Sequence, residues 1–226
     1  MDEIDVRALL GIREPISCLS HLLAAPLFAV LGYFLVARGR GSLARMVSLA
    51  VFAGASVFLL LMSAGYHVLG SGDGRALMKQ FDVAAVFVLI AGTGTPMHII
   101  LFRGIARWVP LLLVWSIAVV GIVLRTIYSD SLSSITANGI FLLMGWGGLF
   151  AFILAWRHFG LRFAMPLLLG GVAYTLGVIV LTFKWPTLWP GFVGPHEVWH
   201  VAVLAGLSLH WQFVAQFAAG VNVSHE

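Results

Sequence analysis

Trp108-Val-Pro-Leu-Leu-Leu-Val-Trp-Ser-Ile-Ala-Val-Val-Gly-Ile-Val-Leu124 runs from Arg107 to Arg125 without a charge. With its flanks, such a run is long enough to cross about 30 Å of hydrocarbon as a helix. Six further stretches read the same way, each bounded by charge, Gly or Pro. The expected spans lie at about 17 to 38, 45 to 69, 82 to 102, 107 to 127, 135 to 156, 163 to 183 and 197 to 219. Hydrophobic residues make up 61% of the chain, charged residues 10%, and the mean hydropathy is +1.01, which excludes a soluble globular domain. Backbone groups cannot go unpaired in lipid. Runs of about 20 residues therefore mean helices, not the short alternating strands of a barrel. The expected fold is all-α, a polytopic membrane protein built as a seven-transmembrane-helix bundle. Connections are short, the longest running from Lys184 to Pro195, so residues 1–226 read as a single domain.

The net charge of +4 and pI near 9.7 come from Lys and Arg scattered between spans. No basic run points to nucleic acid. Arg7, Arg13, Arg75, Lys79, Arg125 and Lys184 fall on the N-terminal face, and Arg38, Arg40, Arg45, Arg103, Arg107, Arg157 and Arg162 on the other. That division is too even for the positive-inside rule to orient the chain. Met1-Asp-Glu-Ile-Asp5 is acidic and lacks the basic start of a cleaved signal peptide, so the first span is expected to stay. The lone Cys18 reads as a small buried hydrophobe. Gly145-Trp-Gly-Gly148, Gly170-Gly171 and Gly177 read as helix-packing positions, and Trp185 and Trp189 as interfacial anchors.

The chemistry concentrates in Phe192-Val-Gly-Pro-His-Glu-Val-Trp-His-Val-Ala-Val203. Pro195 suits the first turn of a helix, so His196 and His200 fall four residues apart on one helical face. That spacing offers two nitrogen ligands to one metal ion; the plain alternative is a pair of interfacial histidines. His67 closes the second span and Asp82 is expected to open the third. Even-numbered spans end on the N-terminal face and odd-numbered spans begin there. Parity therefore brings His67, Asp82, His196 and His200 to one membrane face.

Three neutral histidines plus water is the donor set of an open, catalytic zinc site, and zinc brings the pKa of its water to about 7. Asp82 reads as the group that orients that water or acts as general base, against the simpler role of helix cap. Ser63 lies one turn before His67 on the same face. It is placed to donate to the water or to an oxyanion, or else to bond its own i−4 carbonyl.

Ser63-x-x-x-His67, Phe81-Asp82 leading into Ile90-Ala-Gly-Thr-Gly-Thr-Pro96, Gly171-Val-Ala-Tyr-Thr-Leu-Gly177 and His196-Glu-Val-Trp-His200 resemble, in order and spacing, the signatures of the haemolysin-III family, bacterial branch. That family is related to the adiponectin and progestin receptors and, more distantly, to alkaline ceramidases. The resemblance covers about Glu14 to Phe217. It implies zinc held by His67, His196 and His200, Asp82 against the metal-bound water, Ser63 behind it, and a metal face on the cytoplasmic side with the N-terminus. It also implies hydrolysis of a ceramide-like lipid amide, or an ester, with membrane lipid as the partner and the bacterial inner membrane as the location. Gly94 stands where the family usually has an aromatic, and Val83 where it commonly has a histidine. His21 matches a family histidine in the first span.

Three rivals stand beside this reading. One is a non-enzymatic receptor, channel or cytolytic pore whose polar cluster lines a cavity. A second is an intramembrane zinc protease, since His196-Glu197-x-x-His200 satisfies that pattern with Glu197 as base. A b-type haem between membrane histidines is the third, and two ligands on one helical face do not suit opposite axial positions.

Overall fold

The computed structural model describes residues 7–9, 11–128 and 134–221; the acidic first five residues lie outside them. Its described residues form eight helices: α1 (Pro15–Arg38), α2 (Leu43–Val68), α3 (Asp73–Leu101), α4 (Ile105–Ile127), α5 (Ser134–Trp146), α6 (Leu149–Phe159), α7 (Leu161–Phe183) and α8 (Pro195–Ala215). Seven segments are long and apolar enough to cross a membrane, the fifth spanning Gly139–Phe159 across α5 and α6. The chain is a seven-crossing, all-α membrane protein. In lipid each helix satisfies its own backbone, which is why uninterrupted apolar sequence becomes helix here.

Two boundaries depart from the sequence reading. α3 starts at Asp73, not at Asp82. Its first turns, Arg75-Ala-Leu-Met-Lys-Gln80, are polar by hydropathy yet rich in strong helix formers, and propensity extends the helix beyond the apolar run. Asp82 consequently sits well inside α3 and is no cap; Gly72 takes that position. The fifth crossing is divided. Gly147 N–H bonds to Leu143 O and Gly148 N–H to Gly145 O, both at 3.0 Å, which tightens the chain into a turn between α5 and α6. A Cβ on Gly147 would lie 3.1 Å from Met144 O and one on Gly148 3.1 Å from Gly145 O. The glycine cluster breaks a helix and does not pack one against a neighbour. Gly177 does serve close packing, since a Cβ there would come within 2.7 Å of the Trp199 ring.

α1, α2, α3 and α4 pack in sequence, α7 packs on α8, and α1 lies against α8, so the chain's first and last helices meet. The core gathers on α2 and α8, where Phe52, Leu60, Leu207 and Val214 are fully buried. Trp211 of α8 donates to Ser56 of α2 at 3.1 Å within it. Cys18 is buried, as expected of a small apolar side chain. α4 fully buries only Leu111 and Ala118, half-buries Val114, Trp115 and Ile122 against its neighbours, and exposes most of its remaining residues. Trp185 and Trp189 are exposed before α8.

Candidate metal centre

α8 begins where the sequence places it, with Gly194 as N-cap and Pro195 in the first turn. His196 and His200 then project from one face toward His67 in the last turn of α2. Their Nε2 atoms converge: His196 to His67 is 3.3 Å, His200 to His67 3.1 Å and His200 to His196 3.2 Å. Among the described residues these three form the one cluster of His, Cys, Asp or Glu able to hold a metal ion. Tetrahedral ligands about 2.0–2.1 Å from zinc stand about 3.3–3.4 Å apart, so the spacing suits such an ion.

The tautomer of His67 is fixed from behind. Its Nδ1 donates to Oε2 of Glu14, the residue before α1, which leaves a lone pair on Nε2 when the ring is neutral. Imidazole lone pairs at this distance repel unless a proton or a cation lies between them, and three imidazole nitrogens are a donor set that zinc takes. Glu14 is held in turn. Arg75, in the first turn of α3, donates to Glu14 Oε1 at 2.7 Å and to the carbonyls of Tyr66 and Leu69, both at 2.8 Å. Its guanidinium also stacks over the Tyr66 ring, 4.0 Å from the centroid. Burial alone would raise the Glu14 carboxyl, but the hydrogen bond and positive field of His67, the field of His196 and the hydrogen bond from Arg75 override it and hold the group at about 2.

Asp82 of α3 faces the Ser63 hydroxyl and lies in the field of His67, Glu14 and Arg75. It shares the site without joining the cluster of nitrogen donors. Ser63 is buried, one turn from His67. The His21 ring packs against His200, with centroids 4.2 Å apart.

Glu197, the base of the protease reading, is engaged elsewhere. Ser17 Oγ donates to its Oε1 at 2.8 Å and the Gly194 N–H to its Oε2 at 2.9 Å. It caps the first turn of α8 and ties that helix to α1. The sequence reading treated Arg75 as a topology signal and gave Glu14 and Ser17 no role. Parity held the clue, since the residues opening the first span lie on the same face as His67, and Glu14 directly precedes Pro15.

Inside the bundle, about one helical turn from the cluster, lies a cavity of about 260 Å³ that none of the three histidines lines. Its near wall includes Leu59, Val86 and Val203, each one helical turn from Ser63, Asp82 and His200 respectively.

The family model described as Haemolysin-III related matches residues 11–211. Over 172 residues the chain is 31% identical to "Hemolysin-3" of Bacillus cereus, covering 75% of this chain and 74% of that protein. It is 30% identical over 186 residues to "Hemolysin-3 homolog" of Bacillus subtilis (strain 168), covering 82% and 83%.

Proposed function

The chain belongs to the haemolysin-III related family, and from that premise we propose that it is a zinc-dependent hydrolase of the membrane, acting on a lipid amide or ester carbonyl. The observation that carries this reading is the meeting of three Nε2 atoms within 3.3 Å of one another, with Glu14 fixing the tautomer of one of them. His67, His196 and His200 would hold a zinc ion, and the chemistry it would supply is Lewis acidity toward the carbonyl and a lowered pKa for the attacking water. Asp82 takes the proton from the attacking water, and Ser63 keeps that carboxylate aimed. Leu59, Val86 and Val203 offer the substrate's chain an apolar path out of the polar layer. We place the site on the cytoplasmic side of a bacterial inner membrane, together with the N-terminus.

Metal analysis of the purified protein by elemental mass spectrometry tests this, with His67→Ala and His200→Ala beside the wild type. Near-stoichiometric zinc, lost in both variants, is expected, together with release of fatty acid from a ceramide-like lipid by the wild type alone. Zinc retained by His67→Ala would overturn the three-histidine site. Zinc bound normally without hydrolysis of any amide or ester lipid would leave a metal-stabilised receptor or pore.

A further inference from the structure

The face opposite the histidines carries charge of one sign. Arg38, Arg40, Arg45, Arg103, Arg107, Arg157 and Arg162 stand there, in the turns joining α1 to α2, α3 to α4 and α6 to α7 or in the helical turns beside them. The carboxylates of the described residues, Glu14, Asp73, Asp82 and Glu197, all lie toward the other face, with the histidines.

Two of the seven arginines are used inside the protein. Arg45 donates to Arg40 O at 3.2 Å and to Gly39 O at 3.5 Å, bracing the turn before α2. Arg107 Nε donates to Phe102 O at 2.9 Å across the turn before α4. Arg38, Arg40, Arg103, Arg157 and Arg162 are exposed, and among the described residues their guanidinium groups meet no carboxylate and no hydrogen-bond acceptor. Arg75 on the histidine face is answered by Glu14 at 2.7 Å. These five are answered by nothing in the chain.

Residue type narrows the partner. All seven cations of this face are arginine, while Lys79 and Lys184, the two lysines of the chain, lie on the histidine face. An ammonium would mark topology equally well. What a guanidinium adds is a planar fork of donors that matches two oxygens of a phosphate. Depth narrows it further. The three turns end membrane-crossing helices, and exposed Trp108 and Trp156 stand beside Arg107 and Arg157. An exposed indole next to a cation is the pattern of the headgroup layer.

We infer that this face binds anionic phospholipid headgroups of its own leaflet, with Arg38, Arg40, Arg103, Arg157 and Arg162 donating to lipid phosphates. No two of the three turns share a helix. A soluble anion would need the charges gathered at one point, whereas a layer of headgroups meets each turn where it stands. Zwitterionic lipids offer the same phosphate with an ammonium beside it, so the preference is for lipids of net negative charge. The inference concerns the lipid that surrounds the protein and is independent of the metal and of hydrolysis.

The test is to reconstitute the full chain in vesicles of phosphatidylglycerol and phosphatidylcholine in equal parts, release it in mild detergent, and count the retained lipids by native mass spectrometry. Phosphatidylglycerol is expected to be favoured about fivefold, which is what about 1 kcal/mol per arginine at a membrane surface is worth. Replacing all five arginines by Gln should bring the ratio to about one. Arg38→Gln with Arg40→Gln, and separately Arg157→Gln with Arg162→Gln, should each lose part of the preference, which keeps the test decisive should the fivefold variant not fold. Lys79→Gln with Lys184→Gln should leave the preference intact, and so should His67→Ala. An equal loss in the lysine pair would assign the preference to total charge and overturn the inference. It would also be overturned by the same ratio in wild type and the five-Gln variant, or by a face that ignores lipid and captures a polyglutamate peptide instead.

Discussion

Glu14, the residue before α1, accepts a hydrogen bond from Nδ1 of His67 in the last turn of α2, across the open end of the α1–α2 hairpin. A carboxylate in this position orients the imidazole and raises its basicity toward a metal. Glu14→Gln removes the negative charge and nearly preserves shape. Zinc affinity, read by competition with a chromogenic chelator, should fall roughly 10–100-fold. Unchanged affinity would mean that His67 is held by packing alone.

Asp82 lies beside the histidines without joining their cluster. Asp82→Asn should therefore keep its zinc while losing turnover of a lipid amide. Turnover retained in that variant removes the aspartate from the chemistry, and zinc lost from it makes the carboxylate a ligand.

Ser17 and Glu197 join α1 to α8 through a buried hydrogen bond of 2.8 Å. Ser17→Ala strands one carboxylate oxygen, at a cost of about 1–3 kcal/mol, and should lower the thermal midpoint in detergent without removing the metal. Glu197→Gln separates this bracing role from that of a protease base. It is expected to keep zinc and turnover, and a folded, zinc-loaded variant with no activity would restore the base.

Gly177 faces Ala202 and the Trp199 ring, which lie 2.6 and 2.7 Å from where a Cβ would stand. Gly177→Val should destabilise the chain by about 1–3 kcal/mol through overpacking. Gly171, on the same helix with nothing within 4 Å, is the control, where Ala should be tolerated.

Hydropathy alone located the seven crossings, because lipid leaves an apolar run no other stable form. It missed where helix continues outside lipid. Asp73–Phe81 carries charge, and only propensity marks it as the start of α3. It also missed the break between α5 and α6, since Gly145-Trp-Gly-Gly148 fits a packing motif as well as a turn. Parity and i, i+4 spacing brought His67, His196 and His200 together, and both rest on rigid helical geometry. Glu14, Arg75 and Ser17 were not legible in this way. Each lies at or beyond the end of an apolar run, where nothing in spacing fixes the direction of a side chain, and long-range pairing with His67 or Glu197 decides its role.

The contact between α1 and α8 also sets an order of events. A ribosome makes Glu14 and Ser17 long before His196, Glu197 and His200. Until α8 has entered the membrane and docked, His67 has its carboxylate but neither fellow imidazole. A chain interrupted between α7 and His196 has made most of its helices and still brings only His67 to the cluster. The three-imidazole cluster is thus complete only once the last helix has docked.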